Sequence, residues 1–332
     1  MILKKSSILF IPLILSAFEA PSWSPVSTAS EASLRGISAV NDRVVWVSGS
    51  EGTILKTVDG GAHWRRMQGL PADLDFRAIQ SFDGRTVLAM SAGSGVKSTI
   101  YRTTDSGDHW TLVHQNQIPE AFFDGFAFFD ALRGLLIGDP VNGKFFLLAT
   151  ADGGATWHPI DGPRAQDGEG AFAASNTSLA VRPDGSAWFG TGGLLGGRVF
   201  NSYDWGRTWT SVPTPIPHET AAAGVFSLSF LDSKHGYATG GDYQKPTASM
   251  SVLSATTDGG STWHAIEGIA KGYRSAITSD GKHLILTGPG GSEYNGQPIP
   301  GDGYHALSIA PKGKLAWASG SKGRVAHLRL QR

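Results

Sequence analysis

Short apolar stretches separated by polar, glycine-rich turns recur along this chain from residue 34 to its C-terminal region. In the first unit they are residues 34–39 (LRGISA), 44–49 (VVWVSG), 53–57 (TILKT) and a stretch opening at Trp64. None carries the 3.6-residue period of an amphipathic helix, so each predicts a strand. The same order repeats: a strand, a turn, a second strand closing on Gly, a loop, a third strand and a last one. Later units begin at Phe76, Phe123, Glu169, Val225, Tyr273 and Tyr304. Their second strands close on Gly93, Gly138, Gly190, Gly240, Gly288 and Gly320.

The turn between the third and fourth strands carries Thr/Ser-x-Asp-x-Gly-x-x-Trp five times. The Asp and Trp of each copy are Asp59 and Trp64, Asp105 and Trp110, Asp152 and Trp157, Asp204 and Trp209, and Asp258 and Trp263. Steps of 46, 47, 52 and 54 residues from Asp to Asp mark one supersecondary unit, repeated. Each part has a structural role. Asp accepts backbone N–H groups further along the turn, and Gly supplies a positive φ. Trp wedges between neighbouring sheets, with a partner expected for its N–H. These Asp and Trp residues therefore read as structural. His63, His109, His158 and His264 flank four of the Trp residues but belong to separate units, which argues against a metal cluster.

Unit six departs from the pattern: Asn295 and Gly296 stand where the Asp turn should be, and Pro298 and Pro300 replace the Trp strand. Unit seven stops after its third strand, residues 325–330. A ring of four-stranded sheets closes if an N-terminal segment within residues 25–32 supplies the missing outer strand. The expectation is an all-β, seven-bladed propeller with four-stranded antiparallel blades; six blades is the rival, should unit six form no sheet.

Composition narrows the partners. With 28 basic and 28 acidic residues, the chain lacks the long-range attraction of a nucleic-acid binder. It has no cysteine, which removes disulfides and Cys-ligated metals. Lys4 and Lys5 precede an apolar run at 8–17, too short for the ~20 residues of a comfortable span. Residues 1–29 read as an export signal and 30–332 as one propeller domain. Small-residue cleavage sites end at Ala29 and Ala32, with a poorer one at Ala20 between Phe18 and Pro21; an uncleaved tether is the alternative. No later segment approaches spanning length, and the expected location is periplasmic or extracellular.

The eight-residue motif is similar to the Asp-box, or BNR, repeat of sialidases and other exported propellers. Over the whole chain the sequence resembles the photosystem II stability/assembly factor family and its bacterial relatives. The segments that carry this are 138–141 (GDPV), 168–174 (GEGAFAA), 240–243 (GGDY) with Lys245 and Pro246, 272–275 (GYRS) and 303–306 (GYHA). The resemblance implies a seven-bladed fold and a non-enzymatic protein that holds other proteins during assembly. One scaffold hosts many functions, so the fold alone does not decide the job.

In a propeller the starts of the innermost strands converge on one rim, away from the Asp turns. In register these positions are Arg35, Arg77, Asp124, Glu169, Phe226, Arg274 and His305, with Asp139, Asp242, Tyr243 and Lys245 on adjoining loops. Such a funnel suits a carboxylate held by Arg, on a protein, a peptide or an acidic sugar. The plain alternative is a ring of mutual salt bridges. A sialidase-like hydrolase would use Arg35, Arg77 and Arg274 with Glu169, Tyr273 or Tyr304, and Asp124. Against it, Gly36 and Ile37 follow Arg35 where that family carries Ile-Pro. No residue is assigned as catalytic, and neither a metal nor a cofactor is expected.

Overall fold

The computed structural model describes residues 20–331, so Lys4, Lys5 and the apolar run at 8–17 lie outside the described residues. The described chain forms seven four-stranded antiparallel sheets. Their innermost strands touch in succession, and the seventh returns to the first. The protein is a seven-bladed β-propeller. Blade 1 comprises Leu34–Ala39, Val45–Gly49, Thr53–Thr57 and Arg65–Arg66. The inner strands of blades 2 to 7 are Asp75–Ser81, Phe123–Phe128, Leu179–Val181, Ala223–Phe230, Ala276–Ser279 and Ala306–Ile309.

Burial on both faces explains why second strands carry consecutive apolar residues, as in Val45–Val47, instead of alternating. In blade 1, Val45 and Val47 pack towards Trp317 of blade 7, whereas Trp46 between them packs towards Phe76 and Ile79 of blade 2. Blade 4 repeats this, with Phe189 turned to blade 3 and Trp188 to blade 5. Each junction between neighbouring blades thus has its own apolar cluster. Around the hub, serines on the inner strands tie blade to blade. Ser308 Oγ accepts the Ala39 amide at 3.0 Å, Ser38 Oγ that of Ser81 at 3.0 Å and Ser227 Oγ that of Ile277 at 2.9 Å.

The Asp turns are closed hydrogen-bond circuits. Thr57 Oγ1 donates to Asp59 Oδ1 at 2.8 Å and accepts the Gly61 amide at 2.9 Å, while the His63 amide donates to Asp59 Oδ1 at 3.0 Å. The second oxygen takes the side chain before Trp: His63 Nδ1 at 2.7 Å in blade 1, Thr156 Oγ1 at 2.6 Å in blade 3. Two consecutive residues have positive φ, not the Gly alone. Trp205 pays that strain at 67° in blade 4. Its ring is held by Arg133, 3.7 Å from the centroid, and by Phe129. The expectation for the indoles fails in four of five copies. Trp209 donates to Gly206 at 2.9 Å, but Trp64, Trp110, Trp157 and Trp263 have no N–H partner among the described residues. Packing, not hydrogen bonding, fixes these rings.

Blade 6 is a full sheet, which removes the six-bladed alternative. Asn295 at φ 49° and Gly296 at 79° make a two-residue hairpin turn in place of the Asp motif. Pro298 sits in the edge strand Gln297–Ile299, where a missing N–H is tolerated.

Blade 7 closes with Ser24–Val26, which pairs with Val325–Arg329. This begins one residue before the expected window and lies within residues 1–29. Trp23 stands in register with Trp64 of blade 1 and packs edge-on to Tyr304, ring centroids 5.3 Å apart.

Candidate functional site

The inner strands of blades 1, 2, 3 and 5 share an irregularity. Pairing with the second strand skips one residue between Leu34 and Gly36, Phe76 and Ala78, Phe123 and Gly125, and Val225 and Ser227. The skipped residues are Arg35, Arg77, Asp124 and Phe226. A bulge leaves its extra residue out of the ladder and re-aims the side chain. Here all four line one axial cavity of about 410 Å³, together with His305, Asp139, Tyr243 and Tyr273. Positions in register along the fold therefore become neighbours at the hub.

The chemistry of this funnel is uneven. Arg77 Nε donates to Asp75 at 2.7 Å, and its Nη1 reaches the Ala173 carbonyl at 3.4 Å. Arg35 has no hydrogen bond or ion pair among the described residues; burial, then the neighbouring Arg77, holds its guanidinium below its ordinary value. Asp124 is 1% exposed and its Oδ2 has no partner. Burial, then Asp139, raises its carboxyl well above the usual range. Asp139 is also raised by burial, against the Ala171 amide that donates to it at 3.0 Å. Burial, followed by Arg35, Arg324 and Arg77, pulls His305 down to about 4. Two guanidiniums, Arg35 and Arg77, face the cavity, and only that of Arg77 is ion-paired among the described residues. The cavity wall is aromatic: Phe172 stacks on Phe226 at 3.7 Å, with Tyr273 edge-on to Phe226 at 4.7 Å.

Four of the expected residues lie elsewhere. Arg274 is buried and donates to Glu293, Nε to Oε2 at 2.8 Å. Blade 6 has one more residue than blade 7 between its Tyr and its first paired residue. Ala276 pairs with Thr287 as Ala306 pairs with Ser319. Ser275, not Arg274, is therefore the counterpart of Arg35 and His305. Glu169 does not begin an inner strand, because blade 4 starts ten residues later at Leu179. It is held by Arg198 Nε at 3.0 Å and by the Thr191 hydroxyl at 2.6 Å. Asp242 and Lys245 line a separate depression over blade 5, where Asp242 accepts Thr220 Oγ1 at 3.1 Å. The salt-bridge ring does not form either: the pairs are local and Arg35 stands outside them.

The insertion that displaces blade 4 is the part of the site sequence reading missed. The segment 171–176 crosses the hub. Ser175 Oγ donates to the Ser275 carbonyl of blade 6 at 2.8 Å, and Asn176 Nδ2 to the Ile79 carbonyl of blade 2 at 2.9 Å. Ala171, Phe172, Ala173 and Ala174 thereby become cavity wall. The lengthened Asp-to-Asp step of 52 residues was its signal.

No known family model matches this chain. A xyloglucanase from Paenibacillus sp. is 26% identical over 174 residues, which is 48% of this chain and 17% of that enzyme. The chain thus spans far less than two thirds of its curated relative. Among solved structures, a streptogramin B lyase superposes with a TM-score of 0.66 at 13% identity, covering 94% of this chain and 98% of that one. YCF48 from Cyanidioschyzon merolae superposes with a TM-score of 0.60 at 16% identity, over 93% and 99%. At these identities both are likenesses of fold.

Proposed function

We propose that this protein is an exported, non-catalytic binding propeller of the photosystem II stability/assembly factor type. In this reading it captures a protein or peptide partner through an anionic group at the axial funnel. The observation that carries the reading is Arg35: an unpaired guanidinium beside Arg77, facing a cavity with an aromatic wall. A carboxylate entering there gains a bidentate cation while its neighbouring apolar group covers Phe226 and Tyr243. Burial disfavours the charged forms of Asp124 and Asp139, which weakens their opposition to an entering anion. Export rests on the N-terminal charge and apolar run. Among the described residues no helix is long and apolar enough to cross a membrane.

The test compares wild type with an Arg35→Ala and Arg77→Ala double variant in capture from the native exported fraction. Identified partners are then re-measured as synthetic peptides with free and amidated C-termini. The double variant is expected to fold normally and bind at least ~10-fold more weakly, about 1.4 kcal/mol. Unchanged capture rejects the funnel as the binding site.

A second reading, glycan hydrolysis, is favoured by one observation. Asp124 and Asp139 are close enough to raise the proton affinity of Asp124, the kind of carboxyl pair glycosidases use. The sialidase-type set is not assembled, since Glu169 and Arg274 are spent on Arg198 and Glu293. Turnover of xyloglucan oligosaccharides or a fluorogenic sialoside by wild type, lost in Asp124→Asn, would replace the binding reading.

A further inference from the structure

We propose that maturation cuts this chain N-terminal to Trp23, between Ala17 and Trp23, so that the mature protein begins just ahead of the strand that closes its ring. The inference is independent of what the funnel binds. Two of the three small-residue sites, after Ala29 and after Ala32, lie C-terminal to Ser24–Val26. Cleavage at either would remove the fourth strand of blade 7 and leave Val325–Arg329 as a bare edge.

Residues 23–32 are bound to the fold along their length. Trp23 packs on the cluster at the junction of blades 6 and 7, beside Tyr304 and Ile299. Ser24, Pro25 and Val26 pair with His327, Ala326 and Val325. Val26 reaches across to Trp317 and to the Asp turn of blade 1, where a Cβ on Gly61 would lie 3.2 Å from Val26 Cγ1. Thr28 Oγ1 donates to the Gly323 carbonyl at 2.7 Å, and Gly323 returns its amide to Ala32 at 2.7 Å. By contrast Ala20 and Ser22 are exposed, and no hydrogen bond holds residues 20–22 to the rest of the described chain. Of the three small-residue sites, only that ending at Ala20 spares the strand.

The reaction is hydrolysis of one peptide bond by a leader peptidase of the exporting host. Water adds to the carbonyl, and the products are a C-terminal carboxylate on the leader and a free amino terminus on the mature chain. Expressed at full length in an exporting bacterium, the released protein is expected to start between Phe18 and Trp23 by N-terminal sequencing and intact mass. Any start after Trp23, or retention of the whole leader, overturns the proposal. Two chains made without a leader, from Pro21 and from Ser30, test its physical basis. The shorter is expected to melt several degrees lower or to aggregate; equal melting of the two overturns it.

Discussion

The two faces of this propeller use the same residue types in opposite ways. On the Asp-turn face each carboxylate is met within its own turn. Asp152, Asp204 and Asp258 are held down to about 2, with side-chain and backbone donors of the turn among the causes. On the axial face the carboxyls of Asp124 and Asp139 are pushed up by burial, and Arg35 and His305 are pushed down. A repeated turn that consumes its own charges stabilises the ring and leaves nothing for a ligand. Bulged strands that bring unlike charges to one axis without pairing them all leave polar groups free to meet a ligand.

The comparison is most sharply broken with two arginines that sequence alone treats alike. Arg274→Ala strands Glu293 in the interior and is expected to cost about 3–5 kcal/mol in urea unfolding. Arg35→Ala removes an unpaired, half-buried cation and is expected to change stability by less than ~0.5 kcal/mol. Equal losses would mean that Arg35 is structural too. Next come two aspartates expected to move stability in opposite directions. Asp204→Ala gives up the hydrogen bonds to Ser202, Thr208 and the turn amides and should cost about 1–2 kcal/mol. Asp124→Asn keeps the shape without a buried acid and should raise the unfolding midpoint at neutral pH. A fall instead would show that the Asp124 charge has a partner.

The smallest effect is in pH dependence. His305 falls from its ordinary 6.5 to about 4 in the folded protein, so the unfolded chain takes up its proton first. The stability this group contributes is full above 6.5 and lost as pH falls to 4. The Asp turns act lower: their contribution holds above the ordinary 3.8 and disappears as pH falls through about 2. His305→Gln should flatten the upper slope of melting temperature against pH and leave the lower one intact.

The blades were legible because their determinants are local. An Asp turn is written in eight consecutive residues, and a doubly buried strand as an apolar run. Hub geometry was legible only in part, because it depends on register. Arg35, Arg77, Asp124, Phe226 and His305 were placed by counting from repeat landmarks, and the count held in blades 1, 2, 3, 5 and 7. One added residue after Tyr273 turned Arg274 into an interior pair, and the insertion before Leu179 moved Glu169 off the axis. No local pattern announces such shifts. Trp23 escaped for another reason. It is the repeat's Trp detached from its Asp, because in blade 7 the third and fourth strands come from opposite ends of the chain.

The segment 171–176 ties the hub together across the axis. It is bonded to blade 2 on one side and blade 6 on the other. Thr177 adds a 2.6 Å link to Ser227 in blade 5. With Thr177, the segment thus joins three blades that are not its sequence neighbours at the axis, beside the cavity it lines. The ring is also fastened twice, once at its circumference by the N-terminal strand and once across its diameter, so that prying one seam apart must strain the other.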